Sequence, residues 1–137
     1  MITLLTGKKG SGKTKRLIEH ANEALARSQG NVVLVEKGQK LTYDISHAVR
    51  LIDSDAYDIK GAPALCGFLS GICAGTYDVT DILVDSTLKI TGTGAEALEF
   101  IIPELEKLSK AAGTDFWLSV SAADEEIPAV AEKYILK

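Results

Sequence analysis

Residues 4–16 read LLTGKKGSGKTKR, and within them GKKGSGKT, from Gly7 to Thr14, sets glycines at 7, 10 and 12 ahead of a lysine and a threonine. Glycines this close together suit neither helix nor strand, because each loses more backbone freedom on folding than any other residue and packs no side chain. The segment is therefore a loop. Before it, ITLLT (residues 2–6) is a short apolar run with β-branched types, as a buried strand requires. After it, Leu17, Ile18, Ala21, Ala24 and Leu25 recur at helical spacing, with Lys15, Arg16, Glu19 and Glu23 on the other side. A strand, a glycine loop and a helix in that order bring backbone N–H groups and the positive end of a helix to one point. Such a point is built to hold phosphate.

The loop satisfies G-x-x-x-x-G-K-[ST] without a mismatch and in the required strand–helix context. Glycines let the backbone approach phosphate oxygens without a Cβ in the way. Lys13 brings a point charge to the β- and γ-phosphates, and the Thr14 hydroxyl suits Mg²⁺. The candidate binding residues are thus Gly7, Lys8, Lys9, Gly10, Ser11, Gly12, Lys13 and Thr14. Lys8 and Lys9 read as solvated loop charges rather than catalytic groups. The expected ligand is a nucleoside triphosphate with Mg²⁺.

Working outward, Gly30 is expected to end the first helix, and NVVLVE (31–36) is a buried strand. A polar stretch, KGQKLTYD, leads to a weaker strand around 48–52. Pro63 suits the first turn of a helix running to about Gly75, and DILVD (81–85) is another buried strand. TGTG (91–94) turns the chain into a helix carrying Leu98, Ile101, Ile102, Leu105 and Leu108, which Pro103 should kink or restart. DFWLSVSA (115–122) is a fifth strand. Residues 124–136 read as a last amphipathic helix with Ser121 or Asp124 as its N-cap. Alternation of helices with continuously apolar strands implies an α/β, three-layer sandwich: a mainly parallel five-stranded sheet covered on both faces. The 137 residues suit one domain, 1–137, with no repeat, low-complexity tract or linker.

Composition narrows the function classes. The net charge of −4 gives no basic excess outside the opening loop, so nothing supports a nucleic-acid partner. Cys66 and Cys73, seven apart, would share a helix face as small buried hydrophobes rather than form a disulfide scaffold. His20 and His47 stand apart and show no metal-ligand spacing with a cysteine. The apolar start is too short for a signal peptide, and APALCGFLSGICAG is too short and too rich in glycine to span a bilayer. A cytoplasmic protein without a membrane span is expected.

A Mg²⁺-nucleotide site needs a carboxylate at the end of a neighbouring buried strand. DILVD supplies Asp85, which reads as a Mg²⁺ group in preference to a simple turn cap. A glutamate directly after it would orient water, but Ser86 stands there. Glu36 ends NVVLVE, at the same sheet edge; the pattern alone leaves a water-orienting carboxylate and a solvated strand end equally open. Ser119 and Ser121 could sense the γ-phosphate, although hydroxyls at strand ends are common.

In GKKGSGKT, VVLVE and LVDS, their order and approximate spacing, the chain resembles the RecA-like phosphate-loop ATPases, a branch of the phosphate-loop (P-loop) NTPases that includes recombinases, replicative helicases and the hexameric motors of pilus retraction and secretion. The resemblance implies the P-loop NTPase fold, with an extra strand between the phosphate-loop strand and that of Asp85. It also implies a Mg²⁺-dependent ATPase in which Lys13 and Glu36 are catalytic, Glu36 activating water, while Thr14 and Asp85 hold the metal. Long DNA-binding insertions after the later strands are missing. Of the three arginines, Arg16, Arg27 and Arg50, only Arg50 is a mild candidate for a finger offered to a neighbouring site.

Other classes fit less well. Neither N-K-x-D nor T-K-x-D occurs, so guanine has no reader. A small-molecule kinase wants arginine-bearing lids, though the polar segment 37–47 could host a small acceptor. A nucleotide-binding regulatory module that never turns over is the serious rival. Finally, Gly67, Gly71 and Gly75 share one helix face at about 1 kcal/mol each against alanine. Tight packing on the domain's own sheet explains that first, and contact with a second copy, as in a homo-oligomer, second.

Overall fold

The structure, a computed structural model, describes residues 1–41 and 44–137. Thr42 and Tyr43, part of the polar segment expected after the second strand, lie outside the described residues. Five apolar runs become the strands β1 (Ile2–Gly7), β2 (Asn31–Glu36), β3 (Arg50–Asp53), β4 (Val79–Val84) and β5 (Asp115–Ser121). They pair in parallel throughout, in the order β1-β5-β4-β2-β3. Leu4 stands opposite Leu118, Leu83 opposite Trp117, and Leu34 opposite Leu83. β5 thus lies between β1 and β4, where the resemblance implied an extra strand. Because all five strands run the same way, their C-terminal ends open on one edge.

Both faces are covered, as continuous apolar strands require. On one face lies α1 (Lys13–Arg27), which buries Leu17, Ala21 and Ala24 against Leu5, Leu34, Leu83 and Trp117. Leu41, Ile45 and Val49, from the connection after β2, complete that layer. On the other face lie α2 (Ala62–Gly75) and α4 (Leu98–Ala112). Their Leu65, Leu69, Ile101, Ile102 and Leu105 pack on Leu4, Val33, Ile82 and Phe116. Each such side chain, fully withdrawn from water, contributes roughly 1.5–3 kcal/mol. The far end of α1 is tied down by Asp81, which has no exposure: it accepts from Arg27 Nη2 at 3.0 Å and from Trp117 Nε1 at 3.2 Å. His20 stacks on the Trp117 ring, with centroids 4.4 Å apart.

Several expectations need correction. α1 ends at Arg27 with Ser28 as C-cap, not at Gly30. Gly30 serves close packing instead: a Cβ there would collide with the Asp78 carbonyl oxygen. Pro103 neither divides nor restarts α4; the carbonyl it deprives of a partner belongs to exposed Glu99, where water can serve. The last helix does not form. Residues 124–136 make two 3₁₀ segments, Asp124–Glu126 and Ala129–Tyr134, separated at Pro128, whose ring excludes helical geometry from Ile127. The first follows Ala123, whose N–H donates to Glu126 Oε1 at 2.9 Å, so neither Ser121 nor Asp124 is the cap. A short helix, α3 (Thr87–Thr91), follows β4 where the sequence pattern gave no helix. Cys66 and Cys73 are free and buried on α2, as expected.

The glycine face of α2 also differs from expectation. An added Cβ at Gly67, Gly71 or Gly75 would meet nothing within 4 Å. All three are exposed, so packing on the chain's own sheet does not account for them. No described helix is long and apolar enough to cross a membrane.

Candidate functional site

β1 delivers the chain to Gly7 at the sheet edge, and the loop to Gly12 turns it into α1. Gly10 and Gly12 take φ of 84° and 86°, the left-handed region that costs any side chain energy. Within the loop, Ser11 N–H donates to the Lys8 carbonyl at 3.1 Å and Arg16 N–H to that of Gly12 at 3.1 Å. The N–H groups of Gly10, Gly12, Lys13 and Thr14 have no acceptor among the described residues. Four unpaired donors leading into a fifteen-residue helix are a cup of amides of the kind that can hold an anion.

Lys13 is 7% exposed and its ammonium donates to the Lys8 carbonyl at 2.8 Å, folding back over the loop. Burial holds its pKa below the ordinary lysine value, and Asp85 opposes that shift. Asp85 lies just past the end of β4 and collects hydroxyl donors: Thr14 at 3.1 Å and Ser119 at 2.9 Å on Oδ1, and Ser86 at 3.4 Å on Oδ2. Thr14 and Asp85 come from chain positions 71 apart, and the sheet order brings them into contact.

Ser86 and Ser119 complete this network. Ser86 is one of two non-glycine residues at positive φ among the described residues, 53°, and its N–H donates to Ser119 Oγ at 2.7 Å. That turn redirects the chain out of β4 and into α3. A cleft of about 340 Å³ results, lined by Lys9, Gly10, Gly12, Lys13 and Thr14 from the glycine loop and the start of α1, by Ser86 and Lys89 from the turn after β4 and the helix that follows it, and by Ser119 and Ser121 from the end of β5. Ser86 and Lys89 are additions that the sequence reading did not name as site residues. Their three-residue spacing, one helical turn past a strand-end aspartate, was the available signal.

The structure brings Gly10, Gly12, Lys13, Thr14, Asp85, Ser119 and Ser121 to one place. Gly7 shapes the turn beneath them, where a Cβ would meet Ser11 Oγ at 2.5 Å. Lys8 is exposed and contributes only its carbonyl to Lys13. Glu36 stands apart. It is 2% exposed at the end of β2, with one oxygen accepting from Lys40 N–H at 3.0 Å and the other from Leu41 N–H at 3.3 Å. Burial raises its pKa first of all, and Asp85 and Asp53 add to that, while the two amides oppose it. Glu36 lines a second cavity with Arg50, Asp53 and Tyr57 rather than the cleft itself.

No family model matches the chain, and no curated protein matches its sequence. Among solved structures it is similar to the flagellar accessory protein FlaH from Methanocaldococcus jannaschii, with a TM-score of 0.61 at 14% identity. What they share is the fold. The match covers 93% of this chain and 63% of FlaH, so this chain spans less than two thirds of that protein's length. Parallel five-stranded sheet, helices on both faces and β5 between β1 and β4 together make a distant RecA-like, phosphate-loop architecture.

The donor set suits a hard divalent cation. A hydroxyl and a carboxylate oxygen meet at the mouth of the amide cup, as Mg²⁺ prefers when it keeps its remaining positions for phosphate and water. No group of three or more His, Cys, Asp or Glu among the described residues could hold a metal without a ligand.

Proposed function

We propose that this chain binds a nucleoside triphosphate, ATP, with Mg²⁺ in the cleft and hydrolyses it slowly. The observation that carries the reading is the group of unpaired amides of Gly10, Gly12, Lys13 and Thr14 beside a Thr14–Asp85 contact of 3.1 Å. The amides would take the β-phosphate and Lys13 would leave the Lys8 carbonyl to bridge the β- and γ-phosphates. Thr14 and Asp85 would hold Mg²⁺, which offsets charge on the phosphate oxygens when bound. In hydrolysis, a water oxygen bonds to the γ-phosphorus and the bond from that phosphorus to the bridging oxygen breaks. ADP leaves with the electron pair, and the water's proton passes to solvent or to the released phosphate. Glu36 is the candidate to orient that water.

A second reading is favoured by one observation. Both Glu36 oxygens are held by loop amides, so water activation requires Glu36 to leave them. If it does not, the domain is a nucleotide-binding module without turnover. The homo-oligomer and the one-domain reading of residues 1–137 remain part of this proposal.

The test is calorimetry with Mg·ATP and Mg·GTP on the wild type and on Lys13→Ala. The wild type should bind Mg·ATP and the variant should not. Equal affinity in both would defeat the reading. Phosphate release lost in Glu36→Gln with binding retained supports the ATPase. Binding without any release in the wild type supports the module.

A further inference from the structure

The cleft has a cation that the sequence pattern did not assign. α3 buries Thr87, Ile90 and Thr91 and leaves Lys89 exposed, so its polar side turns toward the cleft. Ser86 and Lys89 are three apart and share that side. The short helix is anchored at both ends: Lys89 N–H donates to the Ser86 carbonyl at 2.9 Å, and Gly92 N–H to that of Leu88 at 2.9 Å. The Ile90 carbonyl also accepts from Gly61 N–H at 3.3 Å. Lys89 makes no ion pair among the described residues. None of the three arginines lines the cleft, and Arg27 is already paired with Asp81.

The lining groups differ in what they can grip. The amide cup and Lys13 would take the inner phosphates. A third phosphoryl group held beyond them would have Ser86, Ser119 and Lys89 as the remaining polar lining of the cleft. A diphosphate held in the same way lacks the group that they would meet.

We propose that Lys89 is a ligand of the terminal phosphate, supplied by this chain's own α3, so that the cleft distinguishes a triphosphate from a diphosphate without a residue from a second copy. The inference rests on the nucleotide reading above. Lysine does this as a mobile point charge, and arginine keeps the charge on a longer planar group. Lys9 also lines the cleft, but it rises from the glycine loop, whose amides would take the inner phosphates.

The experiment measures Mg·ATP and Mg·ADP affinity by calorimetry for the wild type, Lys89→Ala, Lys89→Arg and Lys9→Ala. Circular dichroism checks the fold of each. Lys89→Ala should weaken Mg·ATP about tenfold or more and leave Mg·ADP within about twofold, as loss of one charge-assisted contact predicts. Lys89→Arg should keep most of the preference for ATP. Lys9→Ala should change both nucleotides alike or neither. An unchanged ATP-to-ADP ratio in Lys89→Ala overturns the proposal, as does loss of the ratio in Lys9→Ala alone or a wild-type ratio near one. A wild type that binds neither nucleotide defeats the underlying reading itself.

Discussion

Three hydroxyls converge on the Asp85 carboxylate, and two of them come from other elements of the fold. Any of the three must yield when a metal takes its place. On the proposed reading Mg²⁺ would enter across the Thr14 contact, so Asp85→Asn should abolish the gain in ATP affinity that Mg²⁺ brings over EDTA. A variant that still responds fully to Mg²⁺ would remove Asp85 from the metal. A second prediction concerns Cys66, whose thiol burial pushes up to about 11 from 9.0, with Glu104 adding to the shift. Below pH 9 both folded and unfolded chains keep the proton, and the stabilisation is complete. Between pH 9 and about 11 the unfolded chain loses it first, so stability falls as pH rises, by about 2 kcal/mol. Urea midpoints compared at pH 8.5 and 10.5 should drop less for Cys66→Ala than for the wild type; equal drops would refute it. At this scale the glycine loop was legible because eight neighbouring residues make it alone. Ser119 could be named from its strand end, but its grouping with Ser86 and Lys89 could not. They meet only through the insertion of β5 between β1 and β4, and through a serine at φ 53° whose type gives no advance signal of that turn.

Among the elements, α2 stands out for carrying no charged residue over fourteen positions while leaving half its surface open. The exposed glycines there weaken it without serving any internal contact. Gly67→Ala and Gly71→Ala should therefore each stabilise the chain by about 0.5–1 kcal/mol, read as a higher urea midpoint. Destabilisation in either would mean that a neighbour occupies this face in solution. Strand identities were legible because continuous apolar runs have few alternatives in a sheet covered on both sides. Helix ends were less so. At Pro128 a local steric rule outweighs the amphipathic pattern of residues 124–136, and at Pro103 the opposite happens because the orphaned carbonyl reaches water. Gly30 reads as a helix stop in sequence, and its close approach to Asp78 is a tertiary contact that local pattern does not carry.

Taken whole, the molecule is asymmetric about its sheet. α2 and α4 brace one face together, whereas α1 and the connection through Leu41, Ile45 and Val49 cover the other. The glycine loop opens directly into α1, whose far end is fastened by Arg27 to Asp81. A ligand that engages the loop's amides should therefore slow hydrogen exchange along α1 and the Leu41–Val49 connection, and leave α2 and α4 unchanged. Uniform slowing across all helices, measured with saturating Mg·ATP, would contradict this. Fold class followed from the sequence because alternation and apolarity leave one economical layering; this difference between the layers did not, since it depends on which side of the sheet each crossover takes. Occupancy of the cleft would be felt on the layer into which the loop opens, while the paired helices behind the sheet act as ballast.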